Sequence, residues 1–384
     1  IIQQAFFQLR NQPLLSVITV LGTALAIALI MVILIVYQAK TADYAPEVNR
    51  SRSLYVKWER TVYDKKDPNS AGHSRPSLWL VKEIFYPLTT PEAVTATYEG
   101  GEVLVGTVGS DEEMNTPLML TDAAFWKVYQ FRFLAGKPFT EADFQSGMKQ
   151  AVIAKSVARR LFGGVENAIG KDILVNFAAY TVCGVVDDVN RFCEFTWSEV
   201  YAPYTSNAIA SEAEAGQTSG NNVITILARS TDDFDAIRNE VARGVAQINT
   251  TLGDMELQLM GQPDNFRMQL NRKFANQYEN LNANFWKYGI MILIILLVPA
   301  INLSGLTNTR MRRRLEELGI RKAFGATRNE LVWQVLNENL VLTVMGGLLG
   351  LALAYLFLWL MSDWLLQTVW AVSYTHLTLP TNSR

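Results

Sequence analysis

The stretch LLSVITVLGTALAIALIMVILIV, residues 14–36, runs for 23 residues without one charged side chain. At 1.5 Å per residue a helix of that length reaches roughly 34 Å, enough to cross a hydrocarbon core about 30 Å thick with some tilt. A cleaved leader also starts with an apolar run, but its core is about 7–15 residues long and ends in a small-x-small site. Here Tyr37-Gln38-Ala39 follows, and the bulky Tyr occupies the position where a small residue is needed. The stretch reads as a retained membrane anchor.

Working outward, two further apolar blocks lie toward the other end. Residues 288–306 include the run 290–298 and contain Pro299 and Asn302. A proline is tolerated in a membrane helix when neighbours satisfy the freed backbone groups. Asn302 sits near the water interface or hydrogen-bonds a partner helix. Residues 340–360 carry Gly346, Gly347 and Gly350, and Gly346 with Gly350 forms a small-xxx-small pair that permits close helix packing. Three spans are expected.

Their orientation follows from the segments between them. Residues 307–330 hold seven basic side chains (Arg310, Arg312, Arg313, Arg314, Arg321, Lys322, Arg328) against Glu316, Glu317 and Glu330, a net +4. The long segment 37–287 holds 25 Lys/Arg and 31 Asp/Glu, a net −6. Short basic loops stay in the cytoplasm, whereas long domains translocate largely regardless of charge. The short loop therefore places 307–330 and the N-terminus inside and the long segment outside.

Composition narrows the function. The chain of 384 residues is 49% hydrophobic and 18% charged, against about 25% charged in an ordinary soluble domain. A net charge of −2 gives no support to a nucleic-acid partner. Two cysteines and two histidines are too few for a multi-ligand zinc site. No phosphate-cradling G-x-x-x-x-G-K-[ST], no H-E-x-x-H and no G-x-S-x-G occurs, and no other catalytic constellation or cofactor motif is visible. Asp187-Asp188 could bind a cation, but a strand-end turn is the simpler reading. His73 is expected in a polar loop.

Strand-like runs recur in the long segment at 94–97, 103–107, 151–154, 172–177, 181–186, 223–228 and 256–259. Between them 156–162 and 232–250 carry apolar residues at helical spacing, the first stopped by Gly163-Gly164. The mixture predicts an α+β domain. Residues 206–222 are small and polar and read as a mobile loop. Residues 266–285 place Phe266, Leu270, Phe274, Tyr278 and Leu281 at helical spacing, which predicts a stalk helix continuous with the second span. Cys183 and Cys193 could pair in an oxidising compartment or stay as two unpaired thiols.

The basic loop carries more than charge. Within 310–329, RMRRRLEELGIRKAFGATRN, the core is Glu317-Leu318-Gly319-Ile320-Arg321-Lys322-Ala323-Phe324-Gly325-Ala326, followed by Leu336, Glu338 and a Gly-rich span. This pattern resembles the cytoplasmic signature of the MacB/FtsX family of ABC transporter permeases. A second stretch, 135–139 through 151–162 to 168–171 and 180–189, resembles the family's periplasmic core domain. The resemblance implies a non-catalytic permease subunit in the bacterial inner membrane, paired with an ABC ATPase and a second permease protomer in the lipid bilayer, and in some systems with a periplasmic adaptor and an outer-membrane channel. It implies that ATP-driven closure of the ATPase moves the periplasmic domain to extrude drugs, peptides or lipoproteins. A non-transporting sensor or scaffold regulating an envelope process, or a receptor without an ATPase, are the alternatives.

On that basis Arg314, Glu317, Gly319, Arg321, Lys322 and Gly325 are the expected ATPase-coupling residues, and Gly346 and Gly350 the expected helix-packing pair. The expected organisation is a first span within 1–37, a periplasmic core domain at 38–284 ending in the stalk, and a permease portion at 285–372. The family has a fourth membrane helix after the third, so this membrane α-helical chain with its α+β extracytoplasmic domain shows three spans where four are expected. Residues 373–384, SYTHLTLPTNSR, resemble translated adapter DNA, and with no initiator Met the chain reads as a truncated fragment with a non-native tail.

Overall fold

The computed structural model describes residues 13–107, 109, 113–272, 274–275, 286, 289–297, 319–320, 322–325 and 327–365. The chain divides into two compact units, 1–40 with 280–384, and 41–279.

The second unit is the α+β domain. Its strands are β1 (Ser53–Val56), β2 (Glu59–Val62), β3 (Ala71–Pro76), β4 (Ala93–Thr107), β5 (Glu113–Thr121), β6 (Phe133–Gly136), β7 (Gln150–Ala154), β8 (Asp172–Val175), β9 (Ala178–Val186), β10 (Val200–Pro203), β11 (Ser219–Gly220), β12 (Asn222–Leu227), β13 (Glu256–Gln258) and β14 (Asp264–Asn265). The larger sheet runs β14-β1-β12-β4-β5-β10-β7-β9-β6, with β8 pairing both β4 and β9; a smaller sheet runs β11-β3-β2-β13. Most neighbours are antiparallel, and β5 with β10 and β7 with β9 are parallel. Every residue of β1, β10 and β12 is buried, as expected of strands covered on both faces.

Numbering α1 as Pro13–Thr41 in the first unit, the domain's helices are α2 (Leu78–Leu80, continued by a wider turn at Val81–Phe85), α3 (Phe125–Val128), α4 (Glu141–Gln145), α5 (Lys155–Phe162), α6 (Phe234–Thr251) and α7 (Phe266–Asn271). Helix α6 buries Ile237, Val241 and Ile248 along one stripe and passes so close to the turn after α2 that a Cβ at Gly244 would sit 3.1 Å from the Ile84 side chain. Gly163 stops α5 at φ 69°, a left-handed conformation that suits a residue without Cβ. Buried Phe125 and Tyr201 form an aromatic cluster with the partly buried Trp126 and Phe131 packed against the core, ring centroids 5.1–5.9 Å apart.

Several expectations change. The runs at 94–97 and 103–107 are one strand, β4, kinked by a bulge between Glu99 and Gly101. His73 lies in β3, exposed, rather than in a loop. The polar stretch 206–222 ends in β11 and the first residue of β12, with Thr218 buried by a hydrogen bond to Thr61. The expected stalk helix is interrupted: α7 stops at Asn271, and Arg272 takes an extended conformation because its guanidinium turns back into the domain to Asp264. The remainder of that expectation, from 276 on, falls almost wholly outside the described residues.

The first unit contributes α1 and α8 (Arg328–Leu365). Within them, Val20–Thr41 and Leu340–Leu360 are long and apolar enough to cross a membrane. Their large side chains point away from protein: Leu25 is 68% exposed and Leu348 65%. So extensive an apolar surface needs a non-aqueous surrounding. Of the second expected span, 289–297 is described; it is helical, with Leu293 and Ile294 likewise exposed.

Candidate functional site

Three places bear on function: a helix crossing, the segment before α8, and the junction where the chain enters and leaves the domain.

At the crossing, Leu342, Gly346, Gly350, Ala354 and Leu358 of α8 are all buried. Spaced four apart, they form one ridge on the helix surface. A Cβ placed on Gly346 would lie 2.9 Å from Thr23 Cβ and 3.1 Å from the Val20 carbonyl of α1. One on Gly350 would lie 2.7 Å from the Ala24 carbonyl. The two backbones approach closely because both positions lack side chains. Gly347, one step round the helix, has a roomier neighbour in Ile27 Cδ1 at 3.6 Å.

In the segment before α8, Gly319, Ile320, Lys322 and Ala323 are helical and exposed, and Phe324 is 89% exposed. The Phe324 amide donates to the Ile320 carbonyl at 3.0 Å and Gly325 to Lys322 at 3.1 Å. Gly325 then turns the chain at φ 94°, where any side chain would be strained, so α8 can start at Arg328. Arg314, Glu317 and Arg321 lie outside the described residues. The result is an apolar pair, Ile320 and Phe324, beside the Lys322 cation, all presented outward.

At the junction sit charges that sequence reasoning missed. Arg50 and Glu47 are buried together, Nε donating to Oε2 at 2.7 Å. Glu47 also accepts from the Phe195 amide and Thr196 hydroxyl, each at 3.0 Å. Arg50 reaches the carbonyls of Ala42 (2.7 Å) and Phe192 (3.1 Å) and the Cys193 sulfur at 3.5 Å. Burial pushes the Glu47 carboxyl up from the ordinary carboxylate range, partly offset by Arg50. Burial works against the Arg50 charge, yet Glu47, Cys193 and Tyr44 together outweigh it and raise the guanidinium further. Where the chain leaves, Arg272 and Asp264 form a second fully buried pair, with Nη2 donating to Oδ1 at 2.9 Å and to the Met260 carbonyl at 3.2 Å.

Cys183 and Cys193 are free thiols; burial pushes each up to about 12, so neither is a reactive thiolate at neutral pH. Asp187 pairs with Lys155 at 3.1 Å, and Asp188 accepts the Ser156 amide in the first turn of α5, so the dyad serves as a helix cap and ion pair. Among the described residues no cluster of His, Cys, Asp or Glu could hold a metal.

Comparison with known proteins gives two matches in tandem. Residues 16–243, more than half of the chain, match the MacB-like periplasmic core domain, and 289–381 match the FtsX-like permease C-terminal domain. The ABC transporter permease YknZ of Bacillus subtilis (strain 168) is 23% identical over 92% of this chain and 85% of its own length. The macrolide export ATP-binding/permease protein MacB of Wolinella succinogenes is 25% identical over 91% of this chain, which spans about half, 52%, of that protein. The crystal structure of the extracellular domain of YknZ aligns with 54% of this chain and 99% of that domain, at 19% identity and a TM-score of 0.38.

Proposed function

This chain belongs to the MacB-like, FtsX-like family of ABC transporter permeases, and from that membership we propose that it converts ATP-driven closure of an ABC ATPase into movement of its periplasmic-type domain. Membership makes it a membrane-embedded permease component with an extracellular domain. In the reading proposed, the membrane is the bacterial inner membrane. Two protomers pair, and the ATPase, fused or separate, docks on the cytoplasmic segment 307–330. Glu317, Gly319 and Gly325 shape that segment, while Arg314, Arg321 and Lys322 supply charge toward an acidic patch. The work done is export of molecules from the periplasmic side.

One observation carries this reading: immediately before the apolar helix α8, Ile320, Lys322 and Phe324 stand exposed on a helical end that Gly325 turns sharply. An exposed Phe beside a cation is costly for a solvated loop and suits a protein partner. The test is ATP turnover by the partner ATPase in proteoliposomes with the permease, unchanged or carrying Glu317→Ala, Gly319→Leu or Gly325→Ala. The permease should stimulate turnover severalfold, and each variant should insert normally yet lose most of the stimulation. Equal stimulation by all three contradicts the assignment.

A further inference from the structure

The chain enters the domain along 42–53 and leaves it along 264–275, and a buried arginine pins each lead. On the way out, β14 is an edge strand held to β1 at two positions, Leu54 opposite Asn265 and Tyr55 opposite Asp264. So short a pairing is a weak joint against a pull, since each backbone bond contributes little net free energy. Arg272 lies past the end of α7, eight residues beyond Asp264, and reaches back to take both carboxylate oxygens and the Met260 carbonyl. A load applied beyond residue 272 therefore reaches the sheet through a two-point charged contact instead of unwinding α7.

On the way in, the arrangement is repeated with different parts. Arg50 holds the carbonyl of Ala42, the residue after α1, while Glu47 is fixed by the Phe195 amide and the Thr196 hydroxyl from a segment almost 150 positions away. The two leads meet at Phe266. Phe266, the first residue of α7, lies with its ring 4.9 Å from the Arg50 guanidinium and 5.7 Å from Tyr55 of β1. Tyr55 in turn stacks on Phe195 at 4.3 Å.

Stability alone is a poor reason for such pairs, because apolar side chains of similar volume serve as well or better in a core. What a planar guanidinium adds is direction: its fork fixes two or three acceptors at once. We propose that Arg50 and Arg272 are positioning residues, Arg50 with Glu47 clamping the entry lead to the 192–196 segment and Arg272 clamping the exit lead to Asp264 of β14 beside β1, so that displacement of either lead moves the sheet as one body. This deepens the permease reading and rests on it.

Amide hydrogen exchange on the purified full-length chain tests the clamp without the ATPase. In the unchanged protein, amides of 42–50 and 264–272 should exchange no more than tenfold faster than those of β1. Pairing Asp264→Leu with Arg272→Met preserves volume without direction; it should keep the melting point and speed exchange at 264–272 at least tenfold, leaving β12 unaffected. Arg272→Lys, which keeps the charge and loses the fork, guards against misfolding of the double variant and should fall between. Transmission is then read by energy transfer between fluorophores on Leu340→Cys, an exposed position of α8 outside the 307–330 segment, and Glu212→Cys in proteoliposomes with the ATPase. Addition of ATP should change the signal in the unchanged chain, and the double variant should lose at least half of that change. Leads that exchange a hundredfold faster than β1, or a double variant with the full ATP response, overturn the clamp and leave the permease reading standing. No ATP response in the unchanged chain overturns both.

Discussion

Asp122 illustrates what one buried carboxyl asks of its surroundings. It accepts from the Thr95 hydroxyl at 2.6 Å, the Tyr86 hydroxyl at 2.7 Å, and the amides of Ala96 at 2.9 Å and Phe125 at 3.0 Å. Burial nonetheless raises its pKa, the donors offsetting only part of that cost. The folded state then binds a proton more readily than the unfolded one. The resulting stability is present below the ordinary carboxyl value of about 3.9 and is lost as pH rises through the raised value. Asp122→Asn removes this titration and turns an amide donor toward four donors, which should cost about 1–3 kcal/mol. Denaturant unfolding of both proteins from pH 4 upward should show the stability advantage of the unchanged chain shrinking, by about 1.4 kcal/mol per unit of pKa shift. An advantage that grows with pH contradicts this. None of it was legible beforehand. Asp122, Glu47 and Arg50 look like ordinary charges in sequence, because partners such as Ala96 and Phe195 lie 26 and 148 positions away. Gly325 was named in sequence only through the family resemblance, and its left-handed turn at φ 94° comes from the structure.

Among the elements, α8 makes the sharpest distinction. Ala at Gly350 would put its methyl 2.7 Å from the Ala24 carbonyl, a backbone atom that cannot rotate away, whereas Ala at Gly347 meets only the far end of Ile27 at 3.6 Å. Gly350→Ala should therefore destabilise the α1–α8 contact by about 1–3 kcal/mol, and Gly347→Ala by less than about 0.5 kcal/mol. Thermal melting in detergent would rank them, and an equal effect at both positions contradicts the crossing. At Gly325 the open surroundings remove any clash, so Gly325→Ala should cost only the strain of the left-handed backbone, about 1 kcal/mol. Its effect on ATPase stimulation should far exceed its effect on melting. The first and third apolar helices were readable because uncharged length is a composition signal that needs no partner. The expected stalk departs from the structure at Arg272 for the complementary reason: helical spacing continues past Asn271, whereas the tertiary contact of Arg272 with Asp264 has no mark in the sequence.

For the whole molecule, the order of parts was readable because each carries its own statistical mark: an apolar run, a long mixed segment, a basic loop, a second apolar run. The sheet order was not, since β14 at one edge and β6 at the other are joined through strands that sequence distance scrambles. Function depends on which side of the bilayer each part faces. If 307–330 is the handle for an ATPase, it lies in the cytoplasm and the domain lies outside. The direct measurement is labelling of intact cells with a membrane-impermeant maleimide, in a chain whose Cys183 and Cys193 are replaced by alanine and whose folding is checked by melting. A cysteine at Glu212 in the domain should label without permeabilisation once the outer envelope is opened, and one at Arg313 only after the cell membrane itself is breached. Labelling of Arg313→Cys from outside would contradict the orientation, and with it the assignment of the basic segment to an ATPase.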